Sequence, residues 1–155
     1  MSSGGGDGTL DLTRFFPYRL AILAEAVSQT MAQLYADRFD LTRQEWRIVA
    51  ALGNRKRMAG RDVGRLSALD KMQVSRALAR LEGRGMIDRA PDPDDRRNQV
   101  LSLTAEGRAL YQKIVPLVQA REEYILSALS PEEVRTLNAL MTRVQARAEE
   151  MLRRG

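Results

Sequence analysis

From Leu69 to Leu81 the chain reads Leu-Asp-Lys-Met-Gln-Val-Ser-Arg-Ala-Leu-Ala-Arg-Leu, with amide, hydroxyl and guanidinium groups spaced among apolar ones. Val74, Leu78 and Leu81 fall at i, i+4 and i+7, so a helix would carry them on one face. Gln73, Ser75, Arg76 and Arg80 lie off that face. Glutamine pairs bidentately with adenine and arginine with guanine, which makes Gln73, Ser75 and Arg76 the candidates for reading base edges. Met72 either meets a thymine methyl or packs internally. Lys71 and Arg80 are candidates for phosphate, a contact that adds affinity without sequence information. Asp70 stands in capping position with Gln73 three residues on, which would bring the positive end of the helix dipole close to a duplex.

The elements that must position these residues follow directly. Gly83 and Gly85 stop the helix, since glycine reaches the left-handed conformation without a Cβ clash. Met86–Ala90 and Gln99–Leu103 read as two short strands around a charged, turn-forming tip, Pro91-Asp92-Pro93-Asp94-Asp95-Arg96-Arg97-Asn98. Upstream, 59–68 reads as a shorter helix with Val63 and Leu66 facing inward. No capping side chain stands at Ala59, and Gly64 inside the helix costs about 1 kcal/mol against alanine. That glycine marks either a close helix–helix approach or a weak spot. A helix pair followed by a basic hairpin is the layout of a winged helix-turn-helix. One element would lie in the major groove while the tip reaches phosphate or the minor groove beside it.

At these residues the chain resembles the MarR family of bacterial transcription regulators. The likeness is carried by Val74-Ser75-Arg76-Ala77-Leu78-Ala79-Arg80-Leu81-Glu82-Gly83-Arg84-Gly85-Met86-Ile87 and by the wing sequence Asp95-Arg96-Arg97-Asn98-Gln99-Val100-Leu101-Ser102-Leu103-Thr104. It extends from about Phe16 to the C-terminus. The resemblance implies a mainly α fold with a small β-hairpin, in which N- and C-terminal helices form an intertwined homodimer around winged helix-turn-helix lobes. It implies that Arg97 enters the minor groove, steadied by Asp95, with Arg96 on the backbone. A narrow minor groove concentrates negative potential and favours a guanidinium, which agrees. The alternative is an Asp95–Arg97 hairpin salt bridge with no role in binding. Family members often take small aromatic or anionic ligands in a crevice between the dimerisation helices and the DNA-binding lobe. Here the crevice candidates are Phe15, Phe16, Tyr18, Arg19, Trp46, Arg47 and Tyr111, a set suited to an aromatic acid or its CoA ester; a plain core with surface arginines is the competing reading.

The rest of the chain supports that organisation. Residues 1–9 read as a disordered tail and 10–155 as one domain, with a winged lobe over 41–104 and dimerisation helices over 12–38 and 105–154. The first helix carries Leu20, Leu23, Ala24, Val27, Met31 and Leu34 at three-and-four spacing, with Pro17 in its first turn. Thr42-Arg43-Gln44-Glu45 is a capping box, followed by Trp46, Val49, Ala50 and Leu52 as an inward face. Asn54-Arg55-Lys56-Arg57 is a basic turn, either a phosphate contact or a solvated loop. Thr104 caps a helix running to about Leu129, inside which Pro116 should force a bend. Ser130-Pro131-Glu132-Glu133 is a second capping box. The last helix then carries Val134, Leu137, Leu140, Met141, Val144, Ala148 and Leu152, a stripe with no downstream segment to cover it.

Composition narrows the classes. Cysteine and histidine are both absent. Disulfides, thiolate metal sites, thiol peroxide sensing and histidine-based catalysis are thereby excluded, so no enzyme, metal or cofactor is expected. The formal charge of +5 is localised: residues 53–99 hold twelve Lys/Arg against seven Asp/Glu, whereas the remainder holds thirteen of each. A basic surplus on the helix-and-wing segment is the footprint of a polyanion. No apolar run is long enough to span a membrane and no signal peptide is visible, so a cytoplasmic protein with no membrane partner is expected. The expected partners are double-stranded DNA with a pseudo-palindromic operator, a second copy of the chain, and a small aromatic or anionic effector. A constitutive or architectural DNA-binding protein without a ligand switch is the alternative, and a protein-interaction module stands behind it.

Overall fold

A computed structural model describes residues 8–155; the disordered tail expected over 1–9 falls mostly outside them. The described residues form six helices and a three-stranded antiparallel sheet, grouped into two compact units that divide at Leu117–Val118.

In the first unit, helix α1 spans Phe16–Phe39. It starts four residues later than the expected boundary at Leu12. The Asp11 carboxylate accepts from the Thr13 amide (3.0 Å) and hydroxyl (2.6 Å), making a local turn, and Pro17 then sits in the first turn of the helix. The helix ends at Asp40, whose φ of 50° is left-handed. Helix α2, Arg43–Gly53, opens on the expected box: the Glu45 amide donates to Thr42 Oγ1 (3.1 Å) and the Thr42 amide to Glu45 Oε2 (3.3 Å). Its inward face differs from the expected one. Ile48, Val49 and Leu52 are fully buried and so is Glu45, whereas Trp46 and Ala50 are half-buried at the edge.

A two-residue strand β1, Met58–Ala59, which the sequence did not suggest, pairs with Leu101 and Val100. Helix α3 is Gly60–Ser67, and Ala59 provides no side-chain cap. Leu66 points out rather than in, 52% exposed, and Ser67 takes the inward position because its Oγ can donate to the Val63 carbonyl at 2.5 Å. A Cβ on Gly64 would lie 3.4 Å from Val74 Cγ2, so α3 comes close to the next helix there while leaving room for a methyl. Helix α4, Lys71–Gly83, is followed by β2, Ile87–Pro91, and β3, Gln99–Leu103, in the order β1-β3-β2 with Ile87 opposite Leu103 and Pro91 opposite Gln99. Gly85, at φ +71°, makes the left-handed turn out of α4; Gly83 is simply the last helical residue.

Helix α5, Ala105–Leu126, continues unbroken through Pro116. Thr104 caps it, accepting from the Gly107 amide (3.0 Å) and donating to the Gly85 carbonyl (2.6 Å). A Cβ on Gly107 would overlap the Met86 carbonyl, so only glycine lets α5 approach the β2 entry this closely. Tyr35, Val63, Leu81, Leu101 and Ile114 complete the fully buried core with the α2 residues.

The second unit, Val118–Gly155, holds the end of α5, a turn at 127–129 and α6, Pro131–Arg154. Ser130 and Glu133 cap α6 reciprocally at 3.1 Å each. No residue of α6 is buried. Among the described residues no helix is long and apolar enough to cross a membrane.

Candidate nucleic-acid interface

Helix α4 presents the predicted face. Ala77, Leu78 and Leu81 are buried and Val74 half-buried, which turns Lys71, Met72, Ser75 and Arg76 to solvent. Met72 is 63% exposed, so it does not pack internally. The side chains of Lys71, Ser75 and Arg76 make no hydrogen bond or ion pair with the other described residues and are free for a ligand. Gln73 is different. Its amide donates to Asp70 Oδ1 at 2.8 Å while its side-chain Oε1 accepts from the Asp70 amide at 3.1 Å. The capping box thus occupies one lone pair of Oε1 and leaves Nε2 as the outward donor. A bidentate grip on adenine by Gln73 would have to share or break that cap.

The basic arginines divide in the same way. Arg80, a phosphate candidate by sequence, has its Nε 3.1 Å from Glu45 Oε1 and an Nη 3.9 Å from Asp40 Oδ2, with about half its side chain exposed. Its charge is therefore largely matched inside the fold. Thr42, Gln44, Gln73, Arg76 and Arg80 line an open cleft of about 320 Å³ between the start of α2 and α4.

At the hairpin tip, Asp95 organises everything around it. Its Oδ1 accepts from the Arg97 amide (3.1 Å) and from Arg97 Nε (3.2 Å), and its Oδ2 accepts from Asn98 Nδ2 (3.3 Å). The Asp92 amide donates to the Asn98 carbonyl and the Asn98 amide to the Asp95 carbonyl, both at 2.9 Å. The hairpin salt bridge is thus present, yet the Arg97 side chain remains 91% exposed. The pair fixes the stem of Arg97 and leaves its terminal nitrogens to solvent, while Arg96 is exposed beside it. Arg89 is a wing residue that no local motif marks. This residue of β2 pairs with Glu82 of α4 and donates to Gln99 Oε1 of β3 at 3.1 Å, tying the wing to the helix.

Above this face the seven crevice candidates separate. Trp46 stacks between Tyr35 (centroids 5.8 Å apart, 27° between planes) and Tyr111 (6.3 Å, 21°). Tyr35 was not among the sequence candidates. It is 1% exposed, and burial pushes its hydroxyl pKa upward, against the smaller opposing effects of Arg43 and Arg47. Tyr111 donates to Asn54 Oδ1 at 3.2 Å, and its ring fills the space a Cβ on Gly53 would need. Trp46 and Arg47 border a cleft of about 580 Å³ that continues past Ala50 and Asn54 to Leu66 and Ala68, at the turn leading into α4. Phe15, Phe16, Tyr18, Arg19 and Tyr111 do not line it; Phe15, Phe16 and Tyr18 are exposed to 40%, 56% and 41%, and Tyr111 reaches it only through its stacking on Trp46. The outward turn of Leu66 provides the apolar wall of this cleft.

A capped helix with free guanidinium, hydroxyl and ammonium groups, joined through Gly85 to a hairpin that exposes Arg96 and Arg97 at its tip, defines a winged helix-turn-helix DNA-binding protein. Known proteins agree. The MarR family model matches residues 39–98. The chain is 30% identical to the transcriptional regulator HosA of Escherichia coli O111:H- over 94 residues, 61% of this chain and 70% of that one. It is 29% identical to the homoprotocatechuate degradative operon repressor of Escherichia coli, over 67% of this chain and 70% of the relative. Among solved structures, NadR in complex with 4-hydroxyphenylacetate superposes with a TM-score of 0.75 at 26% identity, covering 88% of this chain and 96% of that one. The chain belongs to the MarR family and is a DNA-binding transcriptional regulator.

Proposed function

We propose that the protein is a dimeric repressor that binds a pseudo-palindromic operator and is released by a small aromatic acid. Arg76 and Ser75 read base edges, with Gln73 contributing its Nε2 donor. Lys71 and Arg96 take phosphates, and Arg97, steadied by Asp95, occupies the minor groove. The helices over 12–38 and 105–154 form the dimer, around winged lobes over 41–104. Supporting this, Phe16, Leu20, Ile22 and Leu23 of α1 are about half exposed, and α6 exposes Leu140, Met141 and Val144 without burying any residue of its own. A surface of that kind on an isolated chain is the usual mark of a protein interface.

One observation carries the effector assignment: Trp46, held between Tyr35 and Tyr111, borders with Arg47 a cleft that reaches the turn before α4. An indole wall beside a guanidinium suits an aryl carboxylate, and NadR, a relative in structure, was solved with one. Occupation of the cleft would push Leu66 and Ala68 away from α2 and move the recognition helix they lead into. The effector then needs only a differential affinity of a few kcal/mol between the two states. The test is a thermal-shift screen of 4-hydroxyphenylacetate, homoprotocatechuate and benzoate, with acetate as control, followed by gel shift of an operator selected from a randomised duplex pool. A ligand that raises Tm should release DNA, and Trp46→Ala should abolish both effects. DNA binding indifferent to every aryl acid would favour the constitutive alternative.

A further inference from the structure

Glu45 is a carboxylate only 1% exposed, at the third position of α2, where its hydrogen bond to the Thr42 amide closes the capping box. That box needs no charge, because glutamine closes it equally well. The charge is matched from another element. Arg80 and Arg84, one turn apart on α4, converge on it: Arg80 Nε lies 3.1 Å from Oε1 and Arg84 Nη1 lies 3.9 Å from Oε2. Arg84 also donates to the Asp40 carbonyl at 2.7 Å and to the Phe39 carbonyl at 3.0 Å, satisfying the last turn of α1. Arg80 reaches Asp40 Oδ2 at 3.9 Å as well. The α1–α2 corner and the recognition helix are therefore joined by these two arginines, and Glu45 is the one buried anion that both of them face.

We propose that Glu45 is a positioning residue for DNA recognition: its buried carboxylate fixes the height and rotation of α4, and with them the outward direction of Arg76, through Arg80 and Arg84. A buried ion pair adds little net stability over an apolar substitute, but it has only a narrow range of good geometries. On a helix that must place side chains on base edges, that directional constraint matters more than the energy. It also gives Arg80 a role other than the phosphate contact expected from sequence. Its Nε points inward to Glu45, so Arg80 orients the helix instead of adding a mobile charge.

The inference rests on the reading that α4 enters the major groove, and the experiment separates the two. Affinities for a pool-selected operator and for a scrambled duplex are measured by fluorescence anisotropy for the full-length wild type, Glu45→Gln, Arg80→Lys, the double variant and Arg76→Ala, alongside Tm. Glutamine keeps the cap and the volume but removes the charge; lysine keeps the charge but loses the planar fork. Each single variant should lower the operator-to-scrambled affinity ratio about tenfold, the loss expected when one buried ion pair no longer orients its helix. Scrambled-duplex affinity should hold. The double variant should be no worse than either single one, because both break the same link. A ratio within about twofold of wild type in folded Glu45→Gln and Arg80→Lys overturns the proposal, even if Tm falls. Should Glu45→Gln not fold, Arg80→Lys decides alone. If Arg76→Ala collapses the ratio while these variants do not, only the positioning role fails; if Arg76→Ala leaves the ratio unchanged, the groove assignment of α4 fails with it.

Discussion

Replacing Arg97 with alanine separates binding from folding. The side chain is 91% exposed, and its one ion pair, with Asp95, lies in solvent. Exposed pairs contribute at most about 1 kcal/mol, and Asp95 keeps its bonds to the Arg97 amide and to Asn98, so the tip should hold its shape and Tm should barely move. Binding behaves differently. A guanidinium in the groove is worth about 1–3 kcal/mol, and a two-fold symmetric dimer inserts two of them, so the loss should reach at least about 2 kcal/mol, roughly thirtyfold in Kd. Two fewer phosphate-shielding charges should also flatten the slope of log K against log salt by about 2. Fluorescence anisotropy on the selected operator at four salt concentrations reads both quantities, with thermal melting as the folding control. An affinity within twofold of wild type and an unchanged slope would refute the wing assignment and leave the Asp95–Arg97 pair as a hairpin brace only.

Two further changes test the packing and the assembly. Gly107→Ala sets a Cβ against the Met86 carbonyl, which is backbone and cannot swing aside, so it should destabilise by about 1–3 kcal/mol and lower Tm by several degrees in thermal melting. Gly53→Ala meets first the Tyr111 ring, a side chain that can turn aside, and should cost less, while changing the tryptophan fluorescence because Tyr111 stacks on Trp46. Leu140→Arg, at a position 47% exposed on α6, should leave the fold intact by circular dichroism yet shift the protein from dimer to monomer in light scattering; an unchanged mass would remove α6 from the interface.

Where local chemistry decides the structure, the sequence is explicit. The Thr42–Glu45, Asp70–Gln73 and Ser130–Glu133 boxes each form as written, because a capping box depends on residues three apart. The β2–β3 hairpin with its Asp-rich tip is equally local, and its register follows from the turn. Legibility ends where partners are distant. Periodicity assigned Glu45 to the cap and Arg80 to a phosphate, but their pairing across two helices was not readable from spacing. Tyr35 was lost in the long apolar pattern of α1, and Leu66 was read as inward because period alone cannot tell that Ser67 would bury itself on a backbone carbonyl. Strand β1 has two residues, too few for any alternation to show, and exists because β3 offers an edge to Met58. Phe15 and Tyr18 looked like ligand walls because they are aromatic and near arginine; the cleft is lined instead from α2 and α3.

Hydroxyl-radical footprinting of the selected operator tests the central claim most directly. Two recognition helices with flanking wings should protect two symmetric windows about one helical turn apart, with Arg97→Ala removing the protection of the outer minor grooves and Arg76→Ala weakening the whole pattern. A single uninterrupted window, or protection that is the same for operator and scrambled DNA, would contradict it.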